Sequence, residues 1–355
     1  MRSVIDVLDL SANELNELIV TAEDIMKNPS KYSEKCKGKI LSTLFFEPST
    51  RTRLSFEAAM YSLGGNVLTV TDAASSSVSK GETVADTART VSCFSDIIAI
   101  RHPKAGAALV AAESVNIPVI NAGDGEHCHP TQTLADLMTI HYEKRSFDGL
   151  TVGFCGDLKY GRTVHSLINA LSRYKGVKFV LISPEKLKLP DYVKKGILDA
   201  GNLKYTETVS LEEVLPSLDI LYMTRIQQER FDDAAEFERL KDSYVLNAEK
   251  MKLAKPDCSV LHPLPRVNEI NVDFDGDPRA CYFKQVSNGK YMRMALILKL
   301  LSENERNREK REYAEGKKCT NPNCITSVER GIKHKFLKDK SDNSYRCAYC
   351  ESIQD

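Results

Sequence analysis

The chain has 355 residues, more than one average domain needs, so two similar lobes plus an appendage are the expected organisation. Hydrophobic residues make up 42% and charged residues 28%, which excludes general disorder, and 49 Lys plus Arg against 49 Asp plus Glu excludes a net field directed at nucleic acid or an anionic membrane. The longest charge-free stretch, Ala58 to Thr71, has 14 residues and contains Gly64 and Gly65, too short to span a bilayer, so a soluble chain is expected. No basic-then-apolar opening of the signal-peptide kind follows Met1, so the ten cysteines are read as reduced and the protein as cytoplasmic.

In chain order, Ser11 with Glu14 forms a capping-box pattern, and Leu15, Leu18, Ile19, Ala22, Ile25 and Met26 follow in helical rhythm to a stop near Asn28-Pro29. Short apolar runs come next, Ile40 to Phe46, Val67 to Val70, Ile97 to Ile100 and Ile117 to Ile120. The segments between them are long enough for helices, which predicts a parallel sheet with helical crossovers. His129 to Lys144 reads as one amphipathic helix. The strand rhythm then restarts at Thr151 to Cys155, Val177 to Ile182, Asp219 to Met223, Tyr244 to Leu246 and Ser259 to Leu261. An apolar helix over Met292 to Leu301 runs into Ser302 to Lys318, which is rich in Glu, Arg, Lys and Asn and reads as a solvated spacer.

Two groups of residues carry chemistry. In FFEPSTRTRLSFEAA, Ser49, Thr50, Arg51, Thr52 and Arg53 lie between a strand ending at Phe46 and a helix read from Leu54. Hydroxyls, guanidinium groups and the helix dipole would converge there on a phosphate dianion; the plainer alternative is an ordinary helix cap. In the tail, Cys319-x4-Cys324, 22 intervening residues and Cys347-x2-Cys350 supply two pairs of thiolates, the set a closed tetrahedral structural Zn2+ site requires. Residues 319 to 355 bury too little to fold unaided, so the metal would supply folding free energy. The tail carries Lys333, Lys335, Lys338 and Lys340. Residues 301 to 355 nevertheless hold twelve Lys plus Arg against ten Asp plus Glu, too little excess to read the tail as a nucleic-acid binder.

FEPSTRTRLSFEAA resembles the carbamoyl-phosphate signature of the transcarbamoylases. SSVSKGETVADTART, IAIRHPKAGAA, NAGDGEHCHPTQTLADL, GDLKYGRTVHSL, LYMTRIQQER and VLHPLPRVNEI resemble the aspartate carbamoyltransferase branch, in the family's order, up to about residue 305. The tail resembles the zinc domain of that family's separate regulatory chain, without the nucleotide-binding domain that would normally precede it. The resemblance implies transfer of a carbamoyl group from carbamoyl phosphate to the amino group of L-aspartate. The product is N-carbamoyl-L-aspartate in pyrimidine biosynthesis, and no cofactor takes part in the chemistry.

It further implies that Ser49 to Arg53 grip the phosphate, with Arg51 beside the bridging oxygen and Thr52 near phosphate and carbonyl. Arg101 and His129 would stabilise the carbonyl oxygen as charge grows there. Gln132 and the carbonyls of Leu264 and Pro265 would bind the carbamoyl NH2, and Arg162, Arg225 and Gln227 would hold the two aspartate carboxylates. Lys80, with Ser77 or its neighbour Ser76, would enter the adjacent subunit's site, which implies a homotrimer with shared active sites. The fold expected is α/β, two doubly wound parallel-sheet lobes with the site in the cleft between them, plus a small zinc domain. The boundaries are 1–130 for carbamoyl phosphate, 131–290 for aspartate, a returning helix over 291–305, a charged linker over 306–318 and the metal domain over 319–355. Two other readings stay open: a transcarbamoylase for another amine such as ornithine, and a non-catalytic scaffold acting through its zinc domain. The 302–318 stretch is too short to hold a nucleotide-binding domain, so no response to ATP, CTP or UTP is expected.

Overall fold

The computed structural model describes residues 2–71, 77–125, 127–226, 237–238, 244–303, 313–314, 316–339 and 343–354. The chain divides into two units. One comprises Met1–Leu134 with Gly289–Asp355, the other Ala135–Asn288.

In the first unit, the apolar run ILSTLF becomes β1 (Ile40–Phe45), buried from Leu41 onward as a strand covered on both faces must be. It pairs in parallel with β2 (Asn66–Val70) on one side and β3 (Ile97–His102) on the other, and β3 pairs with β4 (Val119–Asp124). The order is β2-β1-β3-β4. After β1 the chain moves outward to β2, then returns to the other flank of β1 to form β3, so the order reverses between β1 and β3. The crossovers are α2 (Thr50–Ser62), α3 (Val84–Ser92) and α4 (Ala107–Ser114). Ahead of them, α1 (Ala12–Lys27) carries the expected capping box between Ser11 and Glu14 and buries Leu15, Leu18, Ile19, Ala22 and Ile25.

The second unit repeats the plan in the order β7-β6-β5-β8-β9, all parallel, with β5 (Thr151–Cys155), β6 (Lys178–Ile182), β7 (Lys204–Thr208), β8 (Ile220–Met223) and β9 (Ser259–Leu261). Its reversal falls between β5 and β8, where α6 (Arg162–Leu171) begins the first crossover. Two sequence expectations need correction here. Tyr244 to Leu246 is not a strand of this sheet: Leu246 makes a single bridge to Ile270. The remaining strand is instead β7, KYTET, an edge strand with exposed Lys204, Thr206 and Glu207, whose polar composition hides it from a search for apolar runs. Tyr244 is buried for a different reason, its hydroxyl donating to Val209 O at 3.0 Å.

Helix α5 (Pro130–Lys144) and the helix Tyr282–Ser302 each run through a division between the units. The latter starts ten residues before the apolar segment that announced it. Within the first unit its Arg293 lies over the Phe56 ring and donates to Ser55 Oγ at 3.0 Å and Thr131 Oγ1 at 3.2 Å. Most of the expected charged linker lies outside the described residues.

The tail folds as a three-stranded antiparallel sheet, β10 (Phe336–Lys338), β11 (Tyr345–Cys347) and β12 (Ile353–Gln354), and belongs to the first unit. Its docking follows from α4. AALVAAES is apolar on every side, and Ala107 through Ala112 are all buried, one side of the helix being covered by the sheet and the other by the tail. Alanines keep the surface low, so Ile325, Phe336 and Tyr349 pack against Ala107, Ala108 and Ala111 in one cluster. Backbone bonds seal the join: Ala105 N–H donates to Asn323 O at 3.1 Å and Ile325 N–H to Ala105 O at 2.9 Å. Val84 N–H donates to Glu329 Oε1 at 2.7 Å, and Lys335 pairs with Glu113 at 2.7 Å.

Gly106 begins α4 at φ +88°, and a Cβ added there would collide with the Cα and Cβ of Tyr349. Gly106→Ala should therefore loosen the tail, both by the left-handed backbone cost of about 1–2 kcal/mol and by the collision. Limited proteolysis is expected to release a fragment near residue 316 from this variant at protease levels the parent withstands.

Candidate functional site

Residues that bear chemistry gather at the carboxyl ends of the parallel strands, at the two places where strand order reverses. A crevice forms there because adjacent crossovers leave on opposite faces of the sheet.

At the first reversal, α2 starts at Thr50, four residues earlier than the sequence suggested, so Thr50, Arg51, Thr52 and Arg53 occupy its first turn. Ser49 stands at the N-cap with extended backbone and makes no capping hydrogen bond with its side chain. The first N–H groups and the positive end of the dipole are thus left facing the strand ends. Across the reversal, Phe46 N–H donates to Arg101 O at 2.9 Å, which fixes Arg101 at the end of β3 opposite the start of α2. Burial, and then the like charge of Arg101, depress the Arg51 guanidinium below its ordinary value. Two cations held this close call for an anion.

His129 closes the group from the next strand end. Its Nε2 lies 3.4 Å from Thr52 Oγ1, a buried contact whose donor depends on the tautomer. Gly123, at φ +120° near the end of β4, makes room: a Cβ there would stand 3.3 Å from His129 Cδ2 and 3.7 Å from Arg101 Nη1. Those distances put Arg101 and His129 side by side. Gln132 N–H donates to His129 O at 3.0 Å in the first turn of α5. Glu47 steadies Arg101, accepting from its Nε at 3.2 Å. Arg53 is drawn to Glu57 at 3.7 Å along its own helix. Lys80 is exposed at the end of the turn Ser77–Lys80 before α3, and among the described residues no hydrogen bond or ion pair joins it to the arginine cluster. Ser76 lies outside the described residues.

At the second reversal, the loops after β5 and β8 are stitched together. Thr224 Oγ1 donates to Cys155 O at 3.0 Å and accepts from Asp157 N–H at 3.0 Å. Asp157 in turn accepts from Lys159 N–H and Tyr160 N–H, shaping the turn that delivers Arg162 to the start of α6. Arg162 and Arg225 therefore rise from neighbouring strand ends of one sheet. Gln227 lies outside the described residues. After β9, Leu264 adopts φ +50° ahead of a cis bond to Pro265.

A residue that motif reading passed over sets this last turn. His262 is buried, its Nδ1 accepts from Leu264 N–H at 2.8 Å, and its Nε2 lies 2.7 Å from Glu269 Oε1. Burial alone would raise the Glu269 carboxyl, yet the His262 contact outweighs it and holds the group below its ordinary range. Gln285 accepts from His262 N–H at 3.0 Å, so the HPLP carbonyls are aimed by a side-chain frame as well as by proline stiffness. The HPLP string quoted for its carbonyls already contained His262. What sequence could not supply was its partner, Glu269, seven residues on.

The tail cysteines also converge. Cys319 Sγ lies 3.6 Å from Cys350 Sγ and Cys324 Sγ 3.9 Å from Cys347 Sγ, with all four sulfurs within 4.8 Å of one another. Four thiolates at 2.3 Å from a tetrahedral ion stand about 3.8 Å apart, so the spacing fits a metal and is far too long for disulfides.

Comparison with known proteins agrees with this geometry. Residues 2–142 match the aspartate/ornithine carbamoyltransferase carbamoyl-P binding domain and residues 148–300 the Asp/Orn binding domain of the same family. A catalytic subunit of aspartate carbamoyltransferase from Lachnoclostridium phytofermentans is 61% identical over 302 residues, 85% of this chain and 98% of the relative. The chain belongs to the aspartate carbamoyltransferase family. A Clostridium novyi catalytic subunit of the family is 60% identical over 300 residues, 84% of this chain and 98% of that one. Among solved structures, the M. jannaschii aspartate transcarbamoylase catalytic subunit superimposes with TM-score 0.81 at 47% identity, over 86% of this chain and 100% of that one. The Trypanosoma cruzi enzyme in complex with N-(phosphonacetyl)-L-aspartic acid gives TM-score 0.80 at 39% identity, over 85% and 96%. Residues 317–355 match the metal binding domain of the family's regulatory chain.

His102, beside Arg101, has its pKa pushed from 6.5 to about 4, chiefly by burial, while its Nδ1 accepts from Lys104 N–H at 3.0 Å. Because the folded value lies below the unfolded one, the stability contributed by neutral His102 is complete above about pH 6.5. It drains as pH falls toward about 4, by on the order of 3 kcal/mol in full. Urea midpoints taken from about pH 7 to 4.5 should fall more steeply for the parent than for His102→Gln.

Proposed function

We propose that the chain transfers the carbamoyl group of carbamoyl phosphate to the amino group of L-aspartate, releasing phosphate and N-carbamoyl-L-aspartate. The observation that carries this is the convergence of Arg51, Thr52, Arg101 and His129 at one strand-order reversal, with Arg162 and Arg225 at the other. The T. cruzi relative has been solved with carbamoyl phosphate and aspartate, substrates that suit two such anion-binding edges.

The substrate amine attacks the carbamoyl carbon, the carbon–oxygen bond to phosphate breaks, and the phosphate departs with the electron pair. No side-chain nucleophile is needed; positioning and charge stabilisation do the catalysis. The α2 N-terminus, Ser49, Thr50, Thr52 and Arg53 bind the phosphate, and Arg51 neutralises the bridging oxygen as it becomes a leaving group. Arg101 and His129 donate to the carbonyl oxygen as negative charge grows on it. Gln132 and the carbonyls of Leu264 and Pro265 hold the carbamoyl NH2. Arg162, Arg225 and Gln227 take the aspartate carboxylates, where the cationic side chain of ornithine would be repelled. Lys80, with Ser77 or Ser76, serves the site of a neighbouring copy in a homotrimer, consistent with the exposure of Lys80. The metal held by Cys319, Cys324, Cys347 and Cys350 is Zn2+, in a closed set with no position left for catalysis. A biosynthetic role of this kind is consistent with a cytoplasmic location.

Purified protein should form carbamoyl-aspartate from L-aspartate and give no carbamoylated product with L-ornithine. Arg51→Ala and His129→Ala should each lower kcat by about 10²- to 10³-fold with unchanged circular dichroism. Mixing Lys80→Ala chains with Arg51→Ala chains under reassociating conditions should restore part of the activity. No recovery, with hybrids demonstrated by sizing of tagged chains, would exclude shared sites.

Stripping zinc with a chelator should loosen residues 316–354 in hydrogen exchange and lower Tm while carbamoyl transfer continues, because no cysteine ligand belongs to the reacting set. Loss of activity in step with zinc loss would contradict this.

A further inference from the structure

Besides the four cysteines, one other group of metal-ligating side chains comes together among the described residues. Asp6, His127 and Glu351 bring their ligand atoms within 4.8 Å of one another. They arise from three separate parts of the first unit: the opening segment, the loop between β4 and α5, and the tail. The group opens on a cavity of about 1180 Å3 that Arg2, Asp6, Glu113, His127, Arg346 and Glu351 help to line.

The imidazole is arranged as a ligand. His127 Nδ1 faces Asp124 Oδ2 at 3.1 Å, and its side chain is only 8% exposed. Nε2 is thereby turned toward Glu351 Oε1, at 3.8 Å, beyond hydrogen-bond reach. A carboxylate on one ring nitrogen that aims the other is the usual support of a metal-bound histidine. Asp6 is the second oxygen donor; its carboxylate accepts from two neutral groups, Leu8 N–H at 2.7 Å and Cys128 Sγ at 3.0 Å. Donors at about 2.1 Å from a tetrahedral ion stand about 3.4 Å apart, and the exposed Glu351 side chain can close that gap.

We propose that Asp6, His127 Nε2 and Glu351 form a second divalent-cation site, independent of the cysteine site and of carbamoyl transfer. One nitrogen and two carboxylates suit a borderline ion such as Zn2+, Co2+ or Mn2+, with water completing the shell. The ion ties the tail and the opening segment to the loop that also carries His129.

The test uses the full chain with its cysteine site loaded with Zn2+ and excess metal removed by dialysis. Titration with Co2+ should then show one further equivalent, with a d–d spectrum lacking the thiolate-to-cobalt charge-transfer band and with a rise in Tm. Glu351→Gln, a surface change that leaves the fold intact, should weaken this equivalent at least tenfold, and His127→Gln should abolish it. Both variants should keep the cysteine-bound Zn2+. The proposal is overturned if the parent takes up no second equivalent, as it would were His127 simply ion-paired to Glu351. It also fails if the added Co2+ shows thiolate charge transfer, or if both variants bind it as the parent does.

Discussion

Parallel strands that turn back on themselves impose one constraint on everything else here: where the order reverses, the crossover helices part and the sheet edge lies open. In the first unit that opening falls between β1 and β3, and in the second between β5 and β8. The backbone donors of α2 and the ends of β3 and β4 cannot be satisfied by a neighbouring crossover at such a point, so they are available to a ligand. At the first opening, burial and then the like charge of Arg101 depress the Arg51 guanidinium. An anion placed between them would relieve that repulsion. The folding of the sheets holds the two guanidiniums in place against it.

The second dependence is on the low profile of α4. Its run of alanines lets a small metal-binding module lie close enough for backbone hydrogen bonds at Ala105, and Gly106 admits Tyr349 where any side chain would collide. The tail thereby covers the helix that follows Arg101 and His102. The stiffness of that strand end is consequently shared between the sheet and the tail, whose buried residues join one core cluster with Ile98 and Ile100.

Chemistry was more legible in the sequence than packing. STRTR gathers hydroxyls, arginines and a helix start within a few residues, and the start of α2 does fall there; the cysteine pairs stand out for the same reason of close spacing. Strands were readable where the residues are mainly apolar, including the exposed edge strand β2 through Val67, Leu68 and Val70, whereas β7 is polar along its exposed edge and was missed. Tyr244 to Leu246 misled because an apolar triplet can be buried without sheet pairing. The His262–Glu269 frame and the docking of the tail on α4 were hidden altogether. Each depends on contact between segments that only the fold brings together, seven residues apart in one case and more than two hundred in the other.

Because α4 and the tail belong to one chain, their contact is a unimolecular equilibrium. A tethered module meets its surface at an effective concentration fixed by the tether, whatever the concentration of the protein. The packing of Ile325, Phe336 and Tyr349 on the alanines, two backbone hydrogen bonds, the Val84–Glu329 bond and one ion pair therefore close within the chain. Dilution does not open it. What varies is the fraction of time the module is lifted, a quantity set by the tether and the interface together and adjustable by single substitutions at Gly106, Tyr349 or Glu329.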